Sequence, residues 1–108
     1  MEPYQLDELH AELCKVFTHP TRIRILELLR DGEVTVGALA DALDVAQPHV
    51  SQHLTVMRNA GVLDNRRHGP NVYYRLTDPR IVDAFDTIRE VLTERLDGRA
   101  RPVRRRTP

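Results

Sequence analysis

Tryptophan is missing from this 108-residue chain, phenylalanine and tyrosine together make up 5% of it, and cysteine occurs once, as Cys14. A single cysteine rules out an intramolecular disulfide framework and every metal motif built on a CxxC pair. Long apolar runs are lacking too: none approaches the roughly 20 residues that span a bilayer. The acidic start MEPYQLDEL lacks the basic-then-apolar order of a secretory signal, so a cytoplasmic location is expected. Nor does the chain carry a glycine-rich loop or an acid/base constellation near Cys14, which argues against an enzyme. What remains is 41% apolar and 30% charged, the balance of a small globular domain.

The richest segment is residues 34–63, VTVGALADALDVAQPHVSQHLTVMRNAGVL. Val36, Leu39, Ala40 and Leu43 recur at the three-and-four spacing of one helix face. Pro48 is tolerated only in a first helical turn, so a second helix is expected over residues 47–60, with Val50, Leu54 and Met57 as its buried stripe. Gly61 suits the position just past the end of that helix. Opposite the stripe lie Pro48, Ser51, Gln52, Thr55 and Asn59, a polar and mostly uncharged face of the kind that meets base edges in a major groove. His49 and His53 stand one turn apart on the flank between the two faces. They suit a DNA-facing or scaffolding role better than a metal lying against DNA.

Two β-prone runs follow, residues 62–67 and 72–76, around the turn-forming His68, Gly69, Pro70 and Asn71. Arg66, Arg67 and His68 sit near the tip and Arg75 on the returning strand. A basic hairpin directly after such a helix has the composition of a wing that touches phosphates beside the groove.

These segments resemble the ArsR/SmtB type of winged helix-turn-helix regulators, over most of the chain from Leu9 to Leu96. The resemblance is carried by VFTHPTRIRILELL (residues 16–29), VSQHLTVMRNAGVL (50–63) and GPNVYYRL (69–76). It implies a mostly α, α+β fold with four helices, a two-stranded hairpin and a last helix. It further implies a homodimer that binds palindromic operator DNA as a transcriptional repressor and leaves it when an effector, often a metal ion, binds. Within such a module Gln47, His49, Ser51, Gln52, His53 and Thr55 would face DNA from the helix, and Arg66, Arg67, His68 and Asn71 from the wing. The alternative is a protein-interaction subunit of a regulatory complex with little DNA binding of its own; the polar recognition face and basic wing weigh against it.

Charge is distributed as this reading requires. Net charge is zero, but residues 1–46 carry −5, residues 47–76 carry +3, residues 77–98 carry −3 and the last ten +5. Positive charge thus gathers on the helix, the wing and the tail, where counterion release would use it. Residues 1–98 are expected to form one domain and residues 99–108 a basic tail without a fold of its own. That tail either sweeps nearby phosphates or is simply solvated.

Two terminal stripes call for a partner. Leu6, Leu9, Leu13, Val16 and Phe17 line one helix, and Ile81, Phe85, Ile88, Leu92 and Leu96 line another. Pairing of both across a two-fold axis, with Leu6, Leu9, Leu13, Phe85, Ile88 and Leu92 in the interface, would bury more apolar surface than one small domain can cover. Packing within one chain is the alternative.

Effector sensing is where the chain departs from the resembling family. The helix at residues 35–42 lacks the cysteine motif of metal-sensing members, and the four ligand positions that others use around the last helix hold Asp78, Arg80, Val91 and Glu94. An arginine where a cation ligand belongs removes that site. His10 and Cys14, one helical turn apart, remain as candidate ligands for zinc or nickel. Two donors are too few, so Glu12, His19 or a last-helix carboxylate such as Asp83, Asp86 or Glu90 of a partner subunit would have to complete the set. Otherwise Cys14 is a small hydrophobe and His10 a solvated helix residue.

Overall fold

A computed structural model describes residues 1–98. The elements run α1 (Pro3–Val16), α2 (Pro20–Leu28), β1 (Val34–Thr35), α3 (Val36–Leu43), α4 (Gln47–Asn59), β2 (Leu63–His68), β3 (Asn71–Leu76) and α5 (Arg80–Leu96). They fall into two compact units, Met1–Asp78 and a second beginning at Pro79. The expected order of helices and hairpin is present, and one strand was not foreseen. Residues 34–35 pair antiparallel with β3, Val34 opposite Tyr74 and Thr35 opposite Tyr73, giving a three-stranded sheet of order β1-β3-β2. Two residues are too short for a period-2 signal, so only the partner strand reveals them.

Within the first unit the helices are bounded by local chemistry. Pro3 and Pro20 open α1 and α2, where a missing N–H costs nothing. Neither Thr18 nor Thr21 caps α2. His19 holds the cap position without a side-chain bond, and Thr18 Oγ1 instead donates to the Lys15 carbonyl at 2.9 Å, closing the end of α1. Thr35 is a working cap: its Oγ1 accepts from the Ala38 N–H at 3.1 Å. Thr35→Ala is expected to lower stability by about 1 kcal/mol, visible as a shift in chemical-denaturation midpoint with an unchanged slope.

Asp44 ends α3 in the left-handed region at φ 53°, and this reversal sends the chain into α4. Val50, Leu54 and Met57 on α4 are fully buried, packed in a core shared with Ile25, Leu26, Leu29 and Leu39. Gly61, at φ 80°, follows the last turn of α4; its N–H bonds the Arg58 carbonyl and the Val62 N–H bonds that of Met57. That 6→1 and 5→2 pair is the Schellman closure, which favours glycine. Thr77 then ties the end of β3 to this corner, its hydroxyl lying 2.6 Å from the Gly61 carbonyl and 3.0 Å from that of Val62. α4 and the hairpin are therefore joined at one fixed point.

The hairpin pairs Leu63 with Leu76 through to His68 with Asn71, leaving Gly69 and Pro70 as a two-residue turn. Gly69 has φ 62° and the Pro70 ring requires a negative φ, so the turn is of the II′ kind that matches strand twist.

The second unit is built on α5. Val82 is buried and Phe85 half-buried, while Ile88, Val91, Leu92 and Leu96 are exposed. On α1, Tyr4, Leu6 and Leu9 are likewise exposed, and Leu13 is half-buried. Each helix thus keeps an open apolar stripe. No described helix is long and apolar enough to cross a membrane.

Candidate nucleic-acid interface

Because α4 sinks one stripe into the core, its other residues must face outward. Gln47 and Ser51 lie one turn apart and form one wall of a cleft of about 410 Å³; the wing supplies Asn65, Arg67, Pro70, Asn71 and Val72, and the start of α3 supplies Thr35, Val36 and Gly37. Of the residues expected from sequence, the cleft brings together Gln47, Ser51, Arg67 and Asn71. His49, Gln52 and Thr55 are exposed elsewhere on α4. Thr55 Oγ1 donates to the Ser51 carbonyl at 2.9 Å, so its hydroxyl faces outward as an acceptor.

The wing arginines divide sharply. Arg66 and Arg67 are neighbours on β2, and alternation points them to opposite faces. Arg66 leaves the cleft: its guanidinium grips Glu33 through Nε at 2.9 Å and a terminal nitrogen at 2.5 Å, and it lies 4.5 Å over the Tyr73 ring. This placement makes Arg66 a strap from the wing to the loop before β1. The Arg66 hydrogen bond holds the Glu33 carboxyl below its usual range. The strap therefore persists as pH falls through that range and is lost only below it. Arg75 is paired as well, with Asp64 directly across the ladder at 3.1 Å. Arg67 makes no ion pair among the described residues and stands on the cleft side. His68 closes the strand opposite Asn71, exposed at the tip.

Sequence reasoning missed Asn65 and Thr35. Asn65 could have been found, since it lies two residues before Arg67 and shares its face of β2. Thr35 depends on the unforeseen β1.

His53 is turned inward. It is half-buried, and its Nδ1 accepts a hydrogen bond from Arg22 Nε at 3.1 Å, on α2, while its ring centroid lies 5.9 Å from that of His19. Burial first, then the positive charges of Arg22, His19 and His49, push its pKa below the usual histidine value.

His10 and Cys14 are both exposed on α1. Among the described residues no three His, Cys, Asp or Glu side chains gather as a metal site needs. Two donors are too few for a selective site, and a third would have to come from a partner subunit, one of the sources considered from sequence.

Comparison with known proteins bears on this geometry. Residues 19–65, spanning α2 through the start of the wing, match the family described as bacterial regulatory protein, arsR family. An HTH-type transcriptional regulator of Mycobacterium tuberculosis, Rv0081, is 39% identical over 100 residues, 92% of this chain and 88% of that protein. The chain belongs to the arsR family of bacterial regulatory proteins. It is a DNA-binding transcriptional regulator of that type, with the family's winged helix-turn-helix. The crystal structure of Rv0081 superposes with a TM-score of 0.77, covering 92% of this chain and 98% of that one. A biofilm growth-associated repressor of Agrobacterium fabrum is 40% identical over 81 residues, 72% of this chain and 69% of its own length. The solution structure of a homodimeric winged helix-turn-helix DNA-binding domain from Mycobacterium bovis is 27% identical, with a TM-score of 0.80 and 92% of each chain covered. The arsR-family match includes Gln47, Ser51 and Arg22 but ends before Arg67 and the tip of the wing.

Proposed function

We propose that this regulator acts as a cytoplasmic homodimer that binds a two-fold symmetric DNA operator and represses the adjoining genes. The observation that carries the proposal is the cleft itself: uncharged readers, Gln47 and Ser51, on a helix fixed by the core, face Arg67, which has no ion pair among the described residues, on a wing strapped in place. Gln47, Ser51, Gln52 and Thr55 read base edges, while Arg67, His68 and Asn71 hold the backbone beside them. The M. bovis domain is described as homodimeric. Here the open stripes at Leu6 and Leu9 on α1, and at Ile88 and Leu92 on α5, supply apolar surface for the same assembly, with Leu13 and Phe85 at their margins. Each such leucine adds about 1.5–3 kcal/mol if fully covered. Residues 1–98 act together in this reading; residues 99–108, the basic tail of the sequence, lie outside the described residues.

Selection from a random duplex library followed by mobility shift tests the proposal. A consensus with inverted repeats supports it, and an unenriched pool at low salt contradicts it. An effector that alters the spacing or angle of the two recognition helices would alter operator affinity. Among the described residues no third donor joins His10 and Cys14, which does not favour a metal effector. Titration with zinc or nickel is expected to leave operator affinity within about twofold, less than the weakest coupling counted as allosteric. A larger change, abolished by Cys14→Ser, would restore His10 and Cys14 as ligands.

A further inference from the structure

One polar contact ties three elements of the first unit together and has no part in the cleft. Arg22, in the first turns of α2, donates from Nε to His53 Nδ1 on α4 at 3.1 Å and from a terminal nitrogen to the Val16 carbonyl, the last residue of α1, at 3.3 Å. Its guanidinium therefore bridges the end of an outer helix and the middle of the recognition helix. We propose that Arg22 is a positioning residue for DNA reading: it pins α4 to the end of α1 through the lone pair of a neutral His53, and operator specificity falls when that nitrogen takes a proton. The proposal rests on the DNA-binding reading given above.

Arginine has donors only, so Nδ1 must offer a lone pair and the ring proton must sit on Nε2. Protonation turns Nδ1 into a donor and sets two cations against each other. The charged and titratable groups acting on His53 from the surrounding elements are Arg22 on α2, His19 at the α1–α2 corner and His49 on α4, all basic; the Val16 carbonyl at the end of α1 reaches it through Arg22. With its pKa held below the ordinary value of about 6.5, His53 stays neutral near neutrality. The pin is thus fully made above that value and lost as pH falls through the lower value of the folded state. His53 lies one turn from His49 and two residues from Ser51, so a shift at the pin moves side chains that face DNA. Lysine cannot replace Arg22, because a single ammonium does not span both acceptors with the planar fork.

The sign of the pH effect separates this pin from simple electrostatics. Protonating a histidine against DNA adds charge and tightens binding to every duplex. Loss of the pin instead lowers the ratio of affinity for the selected operator to affinity for an unrelated duplex. The experiment measures that ratio for the full chain between about pH 7.5 and about pH 5, with folding followed by circular dichroism. The wild-type ratio is expected to fall about fivefold or more, the scale of a one-kcal/mol coupling. His53→Asn, which keeps an acceptor oxygen where Nδ1 stands and does not titrate, is expected to hold the neutral ratio throughout. Arg22→Met is expected to show the low ratio already at neutral pH; should it not fold, wild type against His53→Asn still decides. Histidine ¹⁵N spectra give a reading that needs no DNA, with the Nε2–H tautomer predicted for His53. Sequence-dependent binding with a pH-independent ratio, an equal fall in His53→Asn, or the opposite tautomer overturns the pin alone. Failure of the wild type to bind any duplex at neutral pH overturns the DNA reading and the pin with it.

Discussion

Leu54→Ala is expected to cost the first unit about 2–5 kcal/mol, the range for deleting a fully buried leucine and leaving a cavity. Leu54 has no exposed surface and lies at the centre of the α4 stripe between Val50 and Met57. Marginal domains hold about 5–15 kcal/mol in total, so the variant is expected to unfold at a far lower temperature or to be incompletely folded at 37 °C. DNA binding would fail with the fold, because the same helix carries its core residues and its readers on opposite faces. Calorimetry on both proteins checks this. A loss below about 1 kcal/mol would mean that α4 is not seated on the core as described.

Arg67→Ala is expected to weaken binding to all duplexes alike and to make log K less steep in log[salt] by about two, one phosphate contact from each subunit of a dimer. Arg66→Ala is not expected to do this directly, since Glu33 already holds its guanidinium and its loss acts through the position of the wing. Gln52→Ala supplies the contrast: it is expected to relax discrimination at one base pair in each half-site by about 1–3 kcal/mol while leaving the salt slope unchanged. Fluorescence anisotropy on operator and unrelated duplexes across a salt series separates the three variants. Equal loss of specificity from Arg67→Ala and Gln52→Ala would contradict the division between wing and helix.

Much of this was legible in residue order, and the exceptions share a cause. The α4 stripe, Gly61 at the helix end and the turn around Gly69 and Pro70 are local signals, set by 3.6-residue spacing or by a required φ, and the structure places them as read. The strand at Val34 and Thr35 is not local: it exists because Tyr73 and Tyr74 on β3 pair with it. The fates of Arg66 and His53 are likewise decided by partners 33 and 31 residues away, Glu33 and Arg22. Residue order puts Arg66 near a basic wing tip and His53 on the flank of α4, in a DNA-facing or scaffolding role, but names neither partner across the fold. Strand alternation would have separated Arg66 from Arg67, but only long-range packing could show that one is a strap and the other has no ion pair among the described residues.

The central claim is a two-fold reader that places α4 in successive major grooves and the wing on the flanking backbone. Hydroxyl-radical footprinting of a library-selected duplex, with binding stoichiometry measured on the same complex, tests it most directly. Two chains per duplex are predicted, protecting symmetric half-sites centred about 10 base pairs, or a multiple of one helical turn, apart. One chain per duplex, or protection without two-fold symmetry, would contradict the account.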